Sequence, residues 1–450
     1  MKSANMYWNP ATGQEEVQRG SDGYPSVRAD CSFVDGPVND AFGRLRTSHP
    51  VTLFASTQEY DTDPLHMENY VAGGGTAVYT QANSSTVLST DAATSNNRAL
   101  RQSKVYWRYQ PGKSQIIKLT GTLAKSGTPA GAAVARIGYY DDNNGIYFGR
   151  DSTGYFIAIR SNVSGSIVEA EKVYQSAWSE DSFGVEGKNP SGVTIDFTKE
   201  QIFFIDLQWL GVGRVRGGFV VDGKLSYAHL FEHANLTTQV YMKTANLPVR
   251  YEVFNSGAAG SNISLEAICC AVESEGGAED VGGVTLEFDN SNSVATAANS
   301  ATLTPLCTIR LKDTFNGITY RGQAHHMVVS FLADKNTYYE LIWNATTLTS
   351  AAGAVNELTA GTWIDLNTTY SGIEYNVAAT AYTGGLAMGS GFIAASGSGS
   401  NSVGAEISGV PSRLILARTY ANVRDTITIA ARGLGAASAI YFTVNIEEQH

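Results

Sequence analysis

The sequence is poor in charged residues and in long apolar runs, and each shortage excludes a class of protein. Charged residues make up 16% of the chain, and 42 acidic side chains against 31 basic ones give a net charge of −11. A phosphate backbone attracts basic surfaces, so this balance argues against nucleic acid as a partner. No stretch of about 18 apolar residues could cross a bilayer. We therefore expect no membrane insertion.

The chain also lacks an export signal and a recognisable cysteine framework. Its first residues, MKSANMYWNPATGQEE, have no apolar core of the signal-peptide kind, so we expect a product made in the cytoplasm. Cys31, Cys269, Cys270 and Cys307 show neither CxxC nor zinc-ribbon spacing. Cysteine is often buried, so these residues are interpreted as buried free thiols, and no cofactor is expected.

Helix-type periodicity is scarce, whereas strand-type alternation and turn residues are abundant. In Gln201–Phe254, apolar residues alternate with polar ones over 203–209, and Asp222-Gly223 then separates the apolar runs 215–221 and 225–231. Asp-Gly tolerates the positive φ angles of a tight turn, so this pattern predicts a β-hairpin. A third run at 238–242 and 248–253 is expected beside it. We expect these strands to form the centre of a β-sandwich.

Other strand patterns recur about every ten residues along the chain, which is typical of sandwiches. They lie at 103–109, 114–122, 133–140, 146–149, 155–160, 167–174, 284–288, 303–312, 327–332, 338–343, 413–418, 425–431 and 440–446. The acidic, glycine-rich stretch 273–283 is the best domain boundary. We predict an all-β protein with an extended N-terminal arm at 1–50 and two jelly-roll-like β-sandwich domains at 51–275 and 276–450.

Several polar groupings resemble catalytic or metal sites but fit structural roles better. His229, Glu232 and His233 match an H-x-x-E-H zinc motif, yet that motif needs a helix, and strand geometry separates its ligands. His325-His326 would point to opposite sides of a strand. Asp141–Gly145 lacks the closing glutamate of a calcium loop and is interpreted as a turn. We therefore predict no metal site.

Paired carboxylates for sugar hydrolysis are the remaining enzymatic possibility. Glu169, Glu171 and Asp206 are candidates, but a glycosidase needs a defined separation that sequence does not give. No serine-centred nucleophile elbow follows a predicted strand. We predict that the chain is not an enzyme.

One segment carries a resemblance to a known class of protein. Residues 40–54, DAFGRLRTSHPVTLF, resemble a segment near the N-terminus of tailed-bacteriophage virion proteins of the fibre, spike and capsid-decoration kind. Residues 304–312, 339–344, 383–385 and 390–392 are similar to parts of the C-terminal domain of the same proteins. The strand order of the first domain resembles a concanavalin-type lectin or laminin-G-like sandwich.

The resemblance implies a structural virion protein that assembles through its arm and its sandwiches as a homotrimer. Its partners would be other virion proteins and copies of itself, and its location the virion. A receptor-binding fibre that recognises host surface glycan is the alternative, and a glycan depolymerase is a third. The residues expected to attach the subunit are Tyr7, Trp8, Phe42, Arg44, Arg46 and Phe54.

Overall fold

The fold is all-β, as the sequence predicts. The computed structural model describes residues 6–9, 14–17, 39–43, 46, 50–92, 96–184, 186–257, 262–277, 283–350, 356–395, 405–408 and 415–449. Within these ranges the only helical elements are α1 (Glu357–Ala360) and two 3-10 turns at Gln81–Asn83 and Gln175–Ala177. No helix in the described ranges has the length and apolar character needed to cross a bilayer.

The strands of the arm and of the first half of the chain number seventeen in the described residues. They are β1 (Met6–Asn9), β2 (Gln14–Val17), β3 (Val51–Ser56), β4 (Met67–Ala72), β5 (Thr76–Thr80), β6 (Ser85–Ser89), β7 (Asn97–Ser103), β8 (Ser114–Ser126), β9 (Ala133–Tyr140), β10 (Gly145–Arg150), β11 (Tyr155–Ser161), β12 (Val168–Tyr174), β13 (Gln201–Leu207), β14 (Val215–Val221), β15 (Lys224–Phe231), β16 (Val249–Asn255) and β17 (Ser264–Glu275). β1 and β2 form a two-stranded antiparallel sheet of their own.

The first sandwich consists of two facing sheets with an aromatic core between them. Its seven-stranded sheet has the order β12-β11-β10-β9-β16-β7-β4. Its eight-stranded sheet has the order β15-β14-β13-β8-β17-β6-β5, and β3 also pairs with β17. The Phe148 ring on β10 lies 5.3 Å from that of Phe203 and 5.2 Å from that of Phe219. Because successive side chains of a strand alternate in direction, the residues between these core positions face away from the core.

The predicted hairpin is confirmed, but its position in the sheet is not. β14 and β15 pair around Asp222 and Gly223, whose φ angles are 49° and 78°. β15 forms an edge of the eight-stranded sheet, and β16 lies between β9 and β7 in the opposite sheet. The prediction that these strands form one central sheet is therefore wrong. Alternation shows that a strand has a buried face but not which sheet receives it.

Three predicted strands are also wrong. In 103–109 the strand ends at Ser103, because the chain then crosses to the other sheet, and only Trp107 forms a bridge, to Leu247. Residues 238–242 form no strand and follow an exposed turn. In 413–418, residues 413 and 414 lie outside the described residues. The remainder forms no strand beyond one bridge, between Arg418 and Arg424.

The second half of the chain forms another sandwich. Its strands are β18 (Val284–Asp289), β19 (Ala295–Ala297), β20 (Thr304–Leu311), β21 (Thr314–Phe315), β22 (Ile318–Thr319), β23 (Gln323–Ala333), β24 (Thr337–Trp343), β25 (Thr347–Ser350), β26 (Ile364–Asp365), β27 (Ile373–Asn376), β28 (Ala379–Thr383), β29 (Leu386–Ile393), β30 (Ala405–Ser408), β31 (Thr426–Gly433) and β32 (Ser438–Gln449). A five-stranded sheet (β18-β32-β23-β30, with β19 on β32) faces a six-stranded sheet (β26-β27-β20-β31-β24-β29). The Phe331 ring stacks on that of Tyr339 between them, at 5.1 Å.

The two sandwiches contact each other directly. The Gln323 side chain donates to the carbonyl oxygen of Tyr106 at 2.9 Å, and the Arg321 guanidinium lies 4.5 Å from the centre of the Tyr106 ring. The Arg108 guanidinium donates to the Gln449 side chain at 3.1 Å. These contacts join the start of β23 and the end of β32 to the segment that follows β7. The division at 1–50, 51–275 and 276–450 stays a prediction.

Candidate functional site

Residues 39–43 and 46, which include the described start of the segment with the virion resemblance, lie on the first sandwich, on the face of the eight-stranded sheet that is turned away from the core. Asn39, Asp40 and Ala41 are buried there. The Arg214 guanidinium donates to the carbonyl oxygen of Ala41 at 2.7 Å, and Arg216 donates to that of Asn39 at 2.8 Å. Backbone oxygens therefore fix the segment, so these two contacts do not depend on which side chains the segment carries.

Arg46 is the side chain through which this segment joins a buried charge cluster. Its guanidinium pairs with Asp206 on β13 and, at 2.8 Å, with Glu275 at the end of β17. Asp206 is fully buried and also pairs with Arg216, while Ser114 donates to it at 2.9 Å. A carboxylate inside a protein needs such compensation, because desolvation penalises its charge. We call Arg46, Ser114, Asp206, Arg216 and Glu275 the anchor cluster.

The electrostatics of the anchor cluster make one of its carboxyl groups unusual. Burial, together with the neighbouring charge of Asp206, raises the pKa of Glu275 to about 7, against an ordinary value of 4.5, although Arg46 acts in the opposite direction. The folded protein therefore holds a proton on Glu275 over a range of pH in which the unfolded chain has released it.

The raised pKa of Glu275 leads to a prediction about pH. Between pH 4.5 and 7 the folded state binds more protons at this site than the unfolded state, so this group's contribution to stability falls as the pH rises. A Glu275→Gln variant cannot ionise. Its free energy of unfolding should therefore increase relative to wild type across this window and level off above it, as measured by urea denaturation at several pH values.

The matched control for this prediction is Glu200→Gln, at an exposed glutamate of the same sandwich. Its difference from wild type should stay flat over the same pH range. A pH-independent difference between Glu275→Gln and wild type would contradict the predicted coupling.

The six predicted attachment residues do not form one site. Arg46 belongs to the anchor cluster, and the half-buried Phe42 lies on the segment beside it, its backbone N–H donating to Asp40 at 2.9 Å. Phe54 is buried in the first core and stacks on Trp107 at 4.8 Å. Tyr7 and Trp8 lie on β1. Arg44 lies outside the described residues, and the attachment role of all six stays a prediction.

Sequence reasoning missed the acceptors of Arg46. Asp206 interrupts the apolar run IFFIDL, and this interruption was a usable signal, because a carboxylate in a central strand requires a buried cation. Glu275 and Ser114 gave no such signal. They join the cluster only because β8 lies between β13 and β17 in the sheet.

A second polar network covers the outward face of the seven-stranded sheet. Glu252 on β16 is fully buried; the Arg98 side chain pairs with it at 2.5 Å and that of Arg136 at 3.3 Å, and the Tyr140 hydroxyl donates to it at 3.1 Å. Burial alone would raise the pKa of Glu252, but these arginines and Arg250 hold it at about 2. The face is thus internally paired and buried, which suits a structural role better than ligand binding.

A loop of the second sandwich closes one end of this face. The hydroxyl of Tyr420 donates to Asp142 at 2.7 Å and accepts from Arg98, and its backbone N–H donates to Glu68 at 2.7 Å. Its ring lies 4.6 Å from that of Tyr70. The two sandwiches therefore share part of the charge network.

The histidines of the zinc-like motif have separate partners. His229 accepts the backbone N–H of Ser179 at 3.0 Å, and burial lowers its pKa. His233 contacts the Gly213 carbonyl oxygen at 2.7 Å and Glu171 at 2.8 Å. Among the residues that the structure describes, no three histidine, cysteine or carboxylate side chains come together as a metal site. The side chains of His325 and His326 lie outside that set.

The other candidates also have partners in the fold. Glu169 pairs with Arg136 and Lys172, and Asp206 belongs to the anchor cluster. Asp141 closes its predicted turn by accepting the backbone N–H groups of Asn143 and Asn144, at 2.8 and 2.7 Å. Cys270 and Cys307 are buried and free, as predicted, and Cys269 is free and half-buried; burial raises the pKa of Cys270 to about 12. Cys31 lies outside the described residues.

Comparisons with known proteins show likeness in fold alone. No family model matches the chain, and the search of curated proteins found no relative. Among solved structures, the chain is similar to an endo-1,3-beta-glucanase from Streptomyces sioyaensis, with 8% identity, 50% of this chain and 97% of that chain covered, and a TM-score of 0.32.

Two further structures illustrate the same likeness. They are peanut lectin, with 12% identity, 50% and 98% coverage and a TM-score of 0.30, and a carbohydrate esterase from the Shiga toxin-encoding bacteriophage phi24B, with 12% identity, 50% and 99% coverage and a TM-score of 0.27. The neighbours are thus lectin-like β-sandwich domains of both binding proteins and enzymes. At these identities and TM-scores they do not indicate what this chain binds.

Proposed function

We propose that this chain is a structural subunit of a tailed-phage virion and that its N-terminal arm fastens it to neighbouring subunits. The observation that carries the proposal is the contrast between the two ends of the arm. At one end the arm is bound to its own sandwich through Arg46 of the anchor cluster and through the carbonyl oxygens of Asn39 and Ala41. At the other end, β1 and β2 pair with no further strand among the described residues.

An isolated hairpin of this size needs a partner. Each of its strands has four residues, and a two-stranded sheet is at best marginally stable in water. Both of its edges can accept a strand, so addition to another sheet would satisfy backbone groups and bury apolar surface. An arm that is bound to its own sandwich at Arg46 and that pairs with another subunit through β1 or β2 can transmit force between subunits.

The resemblance of residues 40–54 to virion proteins supplies the biological setting of the proposal. In that setting the partners are other virion proteins and copies of this chain, in a homotrimer located on the particle. Catalysis is not part of the proposed role, because Asp206 and Glu169 have ion-pair partners within the fold and Glu171 contacts the His233 ring.

The experiment that tests the proposal compares the full chain with a version lacking residues 1–38, which keeps the anchor cluster. Light scattering should give three times the chain mass for the full protein and one chain mass for the truncated one. In purified particles of the phage that carries this gene, mass spectrometry should find the chain in many copies. A full-length monomer, an oligomer that survives truncation, or particles without the chain would refute the proposal.

Glycan recognition, the alternative role, would need a shared aromatic surface. The most exposed aromatic side chains among the described residues are Tyr60, Tyr370 and Phe392, at 87%, 65% and 73%. They lie in different segments of the chain, and the ring of Phe392 contacts that of Tyr338 instead. Within the described ranges these three side chains therefore give no support to the alternative.

A further inference from the structure

β29 is a long edge strand that has neither charge nor proline to protect it against pairing. Its sequence, LAMGSGFI, contains no charged residue and no proline over eight residues. It ends the six-stranded sheet, and among the strands that the structure describes it is bonded to β24 alone. Natural edge strands are normally kept from pairing by charges, proline, bulges or short length. A long uncharged edge is therefore a place where another strand can add.

Other edges of the two sandwiches carry such protection. β12 has three charged residues in VEAEKVY, and β26, at the opposite edge of the same sheet as β29, has only two residues. β18 has two charges in VTLEFD, and β5 is short, with five residues. Charge is also absent from β5 (TAVYT) and from β3 (VTLFAS), which among the described strands pairs with β17 alone, but β29 is the longest of these uncharged edges, with eight residues.

The local geometry also suits strand addition. One bulge, between Ala387 and Gly389, interrupts the pairing of β29 with β24, and the five residues from Gly389 to Ile393 then pair in register with β24. Phe392 is 73% exposed, and its ring contacts that of Tyr338, with 5.2 Å between the ring centres. An incoming strand would meet five residues paired in regular register and a large exposed apolar side chain.

We propose that β29 receives strand β1 of a second copy of this chain. This inference rests on the proposed function and names the surface that the arm would bind. Among the described strands the chain's own hairpin does not pair with β29, which leaves this edge open to the hairpin of another copy. β1, with the sequence MYWN, is uncharged and aromatic and matches an uncharged apolar edge, whereas charged strands would be desolvated there.

The composition of β2 supports the choice of β1 as the strand of the hairpin that pairs with β29. If β1 pairs with β29, then β2 becomes the new outer edge of the sheet, and its sequence QEEV places two glutamates there. Charged edge residues oppose further strand addition, so growth would stop after one hairpin. Donor and acceptor are different surfaces, and such head-to-tail contacts close into rings, which is compatible with a trimer.

The test uses the full chain with Ser390→Lys, a charge placed on the exposed middle of β29. Its mass in solution, measured by light scattering, should fall from the oligomer to the monomer at concentrations where wild type stays assembled, a loss of affinity of at least tenfold. The matched control is Thr76→Lys on the edge strand β5, which should assemble as wild type does. Circular dichroism establishes that both variants are folded.

A second measurement does not depend on a variant. A synthetic peptide of residues 6–17, added in excess to the full protein, should compete for β29 and lower the mass. Assembly that is unchanged by both Ser390→Lys and the peptide would overturn the inference. If deletion of residues 1–38 still gives monomers in that case, the arm binds elsewhere and the proposed function stands; if the truncated chain remains assembled, the proposed function fails as well.

Discussion

Replacing Glu252 by glutamine is expected to lower the free energy of unfolding by about 3–5 kcal/mol, the range for breaking a buried ion pair by removing one partner. Glu252 is fully buried between Arg98 and Arg136. Glutamine keeps the shape but not the charge, so these guanidinium groups would lose the buried carboxylate that they share and keep only the more exposed carboxylates of Asp142 and Glu169, at 3.2 and 3.5 Å. Urea denaturation followed by tryptophan fluorescence measures the loss.

The same residue predicts behaviour in acid. The pKa of Glu252 lies at about 2 in the folded protein against an ordinary value of 4.5. Its stabilising contribution is therefore complete above pH 4.5 and is lost as the pH falls toward 2. The Glu252→Gln variant should lack this part of the acid sensitivity of wild type.

The control is again Glu200→Gln, which removes a charge from an exposed position. Surface substitutions of this kind usually change stability by less than about 0.5 kcal/mol. An effect of Glu252→Gln as small as that of Glu200→Gln would show that the network is dispensable for stability.

Local patterns in the sequence predicted much of the fold. The β14–β15 hairpin and the β9–β12 ladder were found because alternation and turn residues act over a few positions, and Asp222-Gly223 shows the expected positive φ angles. The assignment of strands to sheets was not predictable in this way. β16 follows the hairpin in sequence but pairs with β7 and β9 across the sandwich.

The partners of the buried charged side chains could not be predicted from local patterns either. In β16, Arg250 and Glu252 alternate with the core residues Val249, Tyr251 and Val253, a pattern that normally indicates a face in water. The structure buries them instead, because β7 and β9 bring Arg98 and Arg136 beside them. Complementary charges so far apart in sequence meet only through sheet order, which periodicity does not reveal.

Replacing Asp206 by asparagine is expected to release the arm from the sandwich as well as to destabilise the fold. Asp206 is the carboxylate shared by Arg46 and Arg216, and it is fully buried. Without its charge, both guanidinium groups lose their common partner, and a cost of about 3–5 kcal/mol follows. Because Arg46 comes from the arm, part of this cost can be relieved if the segment detaches, at the expense of its backbone contacts with Arg214 and Arg216.

Detachment of the arm can be measured separately from a general loss of stability, by limited proteolysis. Under native conditions trypsin should cut the Asp206→Asn variant after Arg46 at least tenfold faster than wild type, while the sandwich beyond residue 50 stays intact on the same gel. Asp222→Asn, in the exposed hairpin turn where asparagine also tolerates a positive φ of 49°, should be cut at the wild-type rate. Equal cleavage rates in Asp206→Asn and wild type would show that the backbone contacts alone hold the arm, and the anchor cluster would then stabilise only the sheet beneath it.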